Sequence, residues 1–476
     1  MTLTEAALSF MVPPPGELTG GVPLLGDLPA FVHDPLAFVL EAAERRPAPV
    51  RIDLPGRRAY LLTEPSEIQF VLRDGYKRFS KMTPVYRAMA TILGEGILTS
   101  EGDSWLRHRR MIQPAFHKRR VEAFGGSMVR AVQALSARWE PLARRGATID
   151  VAAEMTRLTL HIVTETLLGS KALDDADEVG RTMDVLQRYA NGAIRRLWPV
   201  PLWVPTRENR AHARALRAID ALTYGLIDAR RVGRGRDSEP GEAVRTDLLS
   251  ILVDARDDDG APLSRRQLRD ELITFIAAGH DTTANTLSWT MWLLSLHPEV
   301  ARRLLDELDE ALGVDAPSVA DLDRLPYTRA VIDEALRLYP PAWITARIAR
   351  EPVSFGVQRV AAGDLVFVSP WVMHRRPALW RDPEAFDPAR WLEPEASRAS
   401  RPAFAYLPFG GGAHKCIGER FALQEAALAL AVLARRFVLE ALPGVRVQPE
   451  PLITMSPRGG LPMRLGLRPP SARAAA

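Results

Sequence analysis

The sequence predicts a mostly α-helical protein with a small β-rich region. Most long segments with regularly spaced apolar residues follow the helical period. Three short apolar stretches, residues 50–53, 59–63 and 365–368, are typical of strands. No Gly/Ser linker, charge block or internal repeat divides the 476 residues, so we expect one large domain at residues 21–468.

Composition and termini exclude several classes of protein. A net charge of only +4 does not predict nucleic-acid binding. The first residues lack a basic region, and their apolar run at residues 6–12 is too short for a signal peptide or membrane anchor. We therefore expect a cytoplasmic protein without an anchor, with a flexible segment at residues 1–20 and a disordered tail at residues 469–476.

The first candidate functional residues lie in a basic helical segment. Trp105 and Arg109 are four residues apart in a predicted helix over residues 104–116, so they share one helix face. Arg107 and Arg110 flank Arg109 in the same segment. A solvated basic run is therefore an alternative interpretation of Arg109.

A long helix is predicted over residues 264–297, and its centre departs from helix propensity. Residues 279–283 read Gly-His-Asp-Thr-Thr between apolar flanks, although a glycine inside a helix costs about 1 kcal/mol relative to alanine. A helical threonine can donate to the carbonyl four residues earlier, here Thr282 to Ala278. The pattern predicts a groove that places a hydroxyl and the Asp281 carboxylate in an apolar wall. Polar residues that face solvent or other polar groups are the alternative.

Two further segments carry charged residues at informative spacings. Glu334 and Arg337 are three apart in a predicted helix over residues 327–339, so they share a face and can pair. A solvated surface ion pair is the alternative. Arg347 lies in a segment that is typical of a strand, residues 344–349.

The only cysteine, Cys416, follows a glycine-rich loop and precedes a predicted helix over residues 419–436. Glycines at 410, 411, 412 and 418 allow positive φ angles and close approach to a bulky flat group. A helix N-terminus stabilises a thiolate. A lone cysteine cannot form an intramolecular disulfide, so a nucleophile, a single-thiolate metal ligand and a small buried residue remain as candidate roles.

Several motifs resemble those of one family. The loop closely resembles the heme-binding loop of the cytochrome P450 monooxygenases at Phe409, Gly410, Gly412, His414, Cys416 and Gly418. The centre of the long helix resembles that family's oxygen-activation motif at Ala278, Gly279, Asp281, Thr282 and Thr283. Residues 386–391 resemble the segment that supplies Arg390 to a buried network, although Ala389 stands where the family usually has glutamate.

This resemblance implies the cytochrome P450 fold and a set of cofactor contacts. Cys416 would be the proximal thiolate ligand of the iron of heme b, iron protoporphyrin IX. Phe409, Gly410 and Gly418 would complete the loop around the cofactor. Residues that would face the heme propionates are Trp105, Arg109, Arg347 and His414.

The resemblance also implies roles for the remaining motifs. Asp281 and Thr282 would relay protons to dioxygen, while Gly279 would make room for oxygen and substrate. A structural network would join Glu334, Arg337 and Arg390. Apolar positions expected to line the substrate pocket are Ala278, Gly279, Ala342, Ile344 and Ile453, with residues 186–204 as a mobile lid.

The implied reaction is hydroxylation or epoxidation of an apolar small molecule by dioxygen, the substrate being a terpenoid, a steroid, a fatty-acid-like compound or a polyketide. Only about 60 residues follow Cys416, so we expect electrons from an external ferredoxin or flavodoxin with its reductase. Basic residues expected to steer that partner are Arg107, Arg110, Lys118, Arg119, Arg120, Lys415 and Arg435.

Other classes share part of this pattern. A heme-thiolate peroxygenase or isomerase has the cysteine loop but has less need of Asp281 and Thr282. A non-enzymatic heme sensor or carrier has no need of a proton relay. A cysteine-nucleophile hydrolase requires a nearby base, and His414 is the candidate closest in sequence.

Overall fold

The computed structural model describes residues 25–46, 48–169, 176–195, 200–232, 247–313, 315–394 and 401–469. The predicted segment 1–20 lies outside these residues, as do residues 470–476 of the predicted tail and residues 196–199 of the predicted lid. Helices dominate the described chain and the strands form small sheets, as the sequence predicts.

The helices are, in chain order, α1 Leu28–His33, α2 Pro35–Arg45, α3 Pro65–Gln69, α4 Pro84–Leu93, α5 Gly102–Ile112, α6 Lys118–Ala123, α7 Gly125–Arg144, α8 Val151–Leu168, α9 Ala176–Arg195, α10 Arg207–Val232, α11 Leu248–Asp254, α12 Arg265–Leu296, α13 Pro298–Leu312, α14 Pro326–Leu338, α15 Pro370–Met373 and α16 Glu419–Ala434.

The strands are β1 Val50–Leu54, β2 Arg57–Leu62, β3 Phe79–Ser80, β4 Thr148–Asp150, β5 Thr345–Ala349, β6 Val353–Phe355, β7 Gln358–Val360, β8 Leu365–Val368, β9 Phe437–Ala441, β10 Pro449–Pro451, β11 Met455–Pro457 and β12 Pro462–Leu467. The three strands predicted from apolar stretches are β1, β2 and β8.

The described chain divides into two compact units, and the first comprises described residues within 1–87, 337–385 and 394–416. Its five-stranded sheet has the order β1-β2-β8-β5-β3. The β2 and β8 strands are parallel, and the other neighbours are antiparallel. Apolar residues of this sheet pack with Ile68, Val71, Leu72 and Leu407 into one core. This unit carries the cysteine loop.

The second unit comprises described residues within 88–336, 386–393 and 417–476. The long helix α12 packs along α8, where the Thr159 hydroxyl donates to the carbonyl of His280 at 2.8 Å. A three-stranded sheet of order β4-β12-β9 and the hairpin β10-β11 complete it. This unit carries the polar centre of the long helix.

Local signals set the ends of the functional helices. Ser264 and Gln267 form a reciprocal capping box at the start of α12, which begins and ends within one residue of the predicted range. The predicted helix over 104–116 is too long, because α5 ends at Ile112 and a 3-10 turn follows over Gln113–Phe116. Pro114 lacks the N–H that an α-helical bond requires there.

Candidate functional site

The cysteine loop in the first unit is held mainly by its own main chain. The backbone N–H of Cys416 donates to the Phe409 carbonyl at 3.0 Å, and that of Gly410 donates to the Leu407 carbonyl at 3.0 Å. A short 3-10 turn, Gly412–His414, lies between them in the chain. In this arrangement Cys416 is exposed and, as the only cysteine of the chain, forms no intramolecular disulfide.

Gly412 is required by both its conformation and its surroundings. Its φ of +66° lies in the left-handed region. A Cβ at Gly412 would lie 1.8 Å from the carbonyl oxygen of Leu72, which is impossible without moving the backbone. The loop therefore packs its main chain directly on the turn Phe70–Asp74.

A buried histidine supports the loop, and sequence reasoning missed it. The backbone N–H of Leu407 donates to Nε2 of His374 at 3.0 Å, and Nδ1 of His374 lies 3.1 Å from the Arg337 carbonyl. Nε2 accepts a hydrogen bond, so it carries no proton. The Arg337 carbonyl can only accept, so Nδ1 carries the proton and donates it. Complete burial holds the pKa of His374 well below its ordinary value, so the imidazole is neutral.

Two predicted propionate-binding residues lie in this unit. Arg347 lies on β5 and is 8% exposed. Its Nη1 donates to Thr345 Oγ1 at 3.1 Å and to the Ala346 carbonyl at 2.9 Å. The ring of His414 lies edge-on to Tyr76 with centroids 6.0 Å apart.

In the second unit, the predicted threonine bond is present in α12. The Thr282 hydroxyl donates to the Ala278 carbonyl at 2.8 Å. Thr286 and Thr290 repeat the same bond to Thr282 and Thr286, at 2.9 and 2.7 Å. The helix is continuous through these three bonds. Each threonine hydroxyl therefore donates to a carbonyl in addition to the backbone N–H, and the helix does not end there.

The Asp281 carboxylate has a partner that no local pattern predicts. Thr454, in the turn between β10 and β11, donates its hydroxyl to Oδ2 of Asp281. Asn285, one helical turn after Asp281, approaches the same hydroxyl through Nδ2 at 3.5 Å. The carboxylate therefore lies in a polar cluster within the second unit.

A buried ion pair joins Glu334 and Arg390. Arg390 Nε donates to Glu334 Oε1 at 2.9 Å, and both side chains are almost completely inaccessible. Trp391 Nε1 donates to Oε2 at 2.9 Å, and the Asp387 backbone N–H donates to Oε1 at 3.0 Å. Three donors meet this one carboxylate, and Glu334 is fully buried, so the solvated alternative is wrong for Glu334.

Arg337 lies in the first unit and bonds to main-chain carbonyls. Nη1 donates to the carbonyls of His374 and Pro383 at 2.8 and 2.5 Å, and Nη2 donates to that of Ala385 at 2.9 Å. The guanidinium also lies 5.2 Å from the Trp380 ring centroid. Its predicted pairing with Glu334 stays a prediction.

Trp105 and Arg109 lie on α5, where Trp105 is buried and Arg109 is half-buried. The buried His108 lies between them in sequence, and its Nδ1 is 2.8 Å from Glu271 Oε1 on α12. Glu271 also accepts the Ile97 backbone N–H at 3.0 Å, and burial raises the pKa of this carboxyl. These contacts attach α5 and residue 97 to α12.

The residues predicted to line a substrate pocket have different surroundings. Ala278 and Ala342 are exposed, while Ile344 and Ile453 are half-buried. An added Cβ at Gly279 would lie 3.0 Å from Val163 Cγ2. Glycine here therefore lets α12 pack closely on α8, and the Cβ direction at Gly279 is filled by protein.

Several of the basic residues expected to steer a redox partner already have partners within the chain. Arg107 pairs with Asp257 at 2.6 Å and Arg110 with Asp258 at 2.8 Å. Lys118 lies 3.6 Å from Glu122, and Arg435 donates to the carbonyls of Gly313 and Asp315. Arg119 and Arg120 are exposed and have no ion pair within the part of the chain that the structure describes.

The cysteine loop fits a flat cofactor ligated by one thiolate. The thiol is exposed rather than packed, which excludes the small buried residue as its role. Gly410 has φ of +69°, and a Cβ added there would meet no protein atom within 4 Å. A glycine facing open space beside an accessible thiol leaves room for such a group to approach the main chain.

Comparisons with known proteins agree with this geometry. The model of the family described as cytochrome P450 matches residues 14–461. Cyclooctat-9-en-7-ol 5-monooxygenase of Streptomyces melanosporofaciens is 36% identical over 90% of this chain and 90% of its own. Pentalenene oxygenase of Streptomyces avermitilis is 33% identical over 96% of this chain and 98% of its own.

A solved structure, the cytochrome P450DA heme domain, superimposes with a TM-score of 0.83 at 28% identity, covering 94% of this chain and 97% of that one. Among the described residues, no helix has the length and apolar character needed to cross a membrane.

Proposed function

Because the chain belongs to the cytochrome P450 family and is a heme-dependent monooxygenase of an apolar small molecule, we propose that its substrate is a cyclic terpenoid. The observation that carries this proposal is the likeness to two oxygenases over nine-tenths or more of the chain, whose names specify a cyclic alkenol and pentalenene. Hydroxylation at a carbon of the ring system is the proposed outcome.

Heme b is the proposed cofactor, held by Cys416 as a thiolate. When bound, it supplies the redox chemistry that activates dioxygen, and a thiolate ligand favours cleavage of the O–O bond. Two features support this role of Cys416. The thiol is exposed, and it lies three residues before the first residue of α16, whose free N–H groups favour negative charge.

The proposed contacts of the heme propionates are Trp105, Arg109, Arg347 and His414. Arginine pairs strongly with carboxylates because its planar fork can donate two bonds at once. Arg347 supports this role best, because the bonds of Nη1 to Thr345 and Ala346 hold its buried guanidinium on β5. Phe409 and Gly418 would complete the loop.

Asp281 and Thr282 are the proposed proton-delivery residues. A hydroxyl that both donates and accepts can pass a proton, and a carboxylate can exchange one with solvent. Thr282 already donates to the Ala278 carbonyl, so its oxygen is oriented while its lone pairs stay available. Both side chains are partly accessible, which a proton path from solvent requires.

The substrate would meet apolar atoms of Ala278, Ala342, Ile344 and Ile453. Each keeps some accessible surface in the described chain, as contact with a ligand requires. Gly279 would act by letting the helix backbone approach α8. An apolar lining with few polar groups suits a terpenoid, which offers few hydrogen bonds.

An external ferredoxin or flavodoxin with its reductase is the proposed electron source. P450 monooxygenases use redox partners, and an acidic partner would be steered by basic residues. The ion pairs of Arg107 and Arg110 shift this proposal toward α6, where Arg119 and Arg120 are exposed. Reversing both charges should slow electron transfer at low salt, whereas an unchanged rate would contradict a role for α6.

The substrate proposal is tested by spectral titration and turnover. Heme-loaded protein is titrated with cyclic terpene hydrocarbons, cyclic terpene alcohols and straight-chain fatty acids of matched carbon number. We expect the terpenoids to shift the heme from low to high spin and to gain one oxygen atom during turnover with a surrogate ferredoxin and reductase. A spin shift and product with the fatty acids alone would contradict the proposal.

A further inference from the structure

The hairpin of β10 and β11 contacts α12 through its turn, residues 452–454, and through Met455, the first residue of β11. Three residues on one face of α12, spaced four apart, make these contacts. Trp289 Nε1 donates to the Met455 carbonyl at 3.3 Å. Asn285 and Asp281 meet the Thr454 hydroxyl. The turn is therefore attached to the same helical face that carries the proposed proton-delivery carboxylate.

The hydrogen bonds among Asn285, Thr454 and Asp281 have a fixed donor-to-acceptor direction. The Thr454 hydroxyl has one hydrogen, which it donates to Oδ2 of Asp281. Toward Asn285, the same oxygen can only accept, and the Asn285 amide nitrogen is a donor. The chain of bonds runs from the amide through the hydroxyl to the carboxylate, so it stabilises Asp281 as an oriented acceptor.

The opposite side of the turn is attached to α9. The backbone N–H of Ile453 donates to Asn191 Oδ1 at 3.1 Å. The half-buried Ile453 is therefore bonded to α9, and the next residue, Thr454, is bonded to α12. A displacement of Ile453 has to be transmitted to Thr454, because the two share a three-residue turn closed by the pair Pro451 and Met455.

We propose that Thr454 is a positioning residue that orients the Asp281 carboxylate for proton delivery and links it to contact of the substrate with Ile453. This inference rests on the proposed function of Asp281 and Ile453. Thr454 acts through Asp281 and touches no reacting atom. Its hydroxyl selects which oxygen of Asp281 remains available, since Oδ1 accepts no hydrogen bond from the described residues.

The test compares three heme-loaded variants. Thr454→Val removes the hydroxyl and keeps the shape, Thr454→Ser keeps the hydroxyl, and Ser456→Ala removes a hydroxyl two residues away. Product formed per NADH consumed should fall about tenfold in Thr454→Val, the order expected for losing one hydrogen bond to a charged group. The solvent deuterium isotope effect on product formation should rise. Thr454→Ser and Ser456→Ala should resemble the parent protein.

A second readout does not depend on turnover. Backbone hydrogen exchange in residues 449–457 should become faster in Thr454→Val and remain unchanged in Thr454→Ser. Parent-like coupling, isotope effect and exchange in Thr454→Val would overturn the inference. If the parent protein itself forms no product, the proposed function fails, while the exchange measurement still tests the contact between Thr454 and Asp281.

Discussion

The cysteine loop and the polar centre of α12 are stabilised by different kinds of contact. In the first unit, main-chain groups hold the loop, through the bond from Cys416 to Phe409 and the packing of Gly412 on Leu72. In the second unit, the candidate catalytic carboxylate of Asp281 is held by a side chain, the hydroxyl of Thr454. The difference indicates that the loop tolerates few backbone changes, whereas the helix site depends on individual hydroxyls and carboxylates.

Two buried groups, one in each unit, differ in charge. The neutral His374 supports the cysteine loop in the first unit, while Glu334 in the second unit is buried in an ion pair with Arg390. Buried charges are costly unless paired. Removing one charge in the second unit should therefore have a larger effect than removing a neutral contact in the first.

The largest loss of stability is expected for Glu334→Gln. This change leaves the Arg390 guanidinium buried without its carboxylate, and breaking a buried pair costs about 3–5 kcal/mol. Denaturant unfolding measures the loss. Glu122→Gln is the control, because its pair with Lys118 is exposed and should contribute little. Equal effects of the two changes would contradict the structural role of Glu334.

Gly412→Ala is expected to have the next largest effect. The left-handed backbone alone costs a non-glycine residue about 1–2 kcal/mol, and the new Cβ would collide with the Leu72 carbonyl. Gly363→Ala is a matched control in the same unit, because its φ of +89° is also positive but its Cβ would meet no atom within 4 Å. The stability loss should clearly exceed that of the control, and similar losses would show that the loop can move away from Leu72.

The sequence predicts features that depend on neighbouring residues. The start of α12 follows from the cap at Ser264, and the bond of Thr282 to Ala278 follows from the helix itself. Contacts between distant segments were missed. Thr454 is 173 residues from Asp281, and His374 is 33 residues from Leu407, so neither pair leaves a periodic signal in the chain.

The buried Glu425 of the second unit should make stability depend on pH above about 4.5. This residue is fully buried in α16, and neither carboxyl oxygen has a hydrogen-bond partner in the described chain. Burial raises the pKa of Glu425 well above 4.5. In the unfolded chain the carboxyl ionises near 4.5, so its protonated native form loses stability as pH rises above that value, by up to about 1.4 kcal/mol per pH unit.

Glu425→Gln removes this dependence. The stability of the variant relative to the parent should increase between pH 5 and pH 8, as thermal or denaturant unfolding at each pH can measure. A difference that stays constant over this range would show that Glu425 is ionised or paired in the native protein.

The smallest effect on stability is expected for Thr282→Ala. Its hydroxyl is partly exposed and bonds only within its own helix, so the loss should be within about 1 kcal/mol. Coupling of oxygen consumption to product should nevertheless fall. Thr286→Ala is the matched control, because Thr286 makes the same bond to the carbonyl four residues earlier. Coupling that falls equally in both variants would contradict a specific role for Thr282.

The most direct test of the central claim is the carbon monoxide difference spectrum of the reduced, heme-loaded protein and of Cys416→Ala. Ligation by Cys416 predicts a red-shifted Soret band typical of a thiolate-ligated heme in the parent protein, and the absence of that band in Cys416→Ala. A parent protein that binds heme without the red-shifted band, or a variant that retains it, would contradict ligation by Cys416.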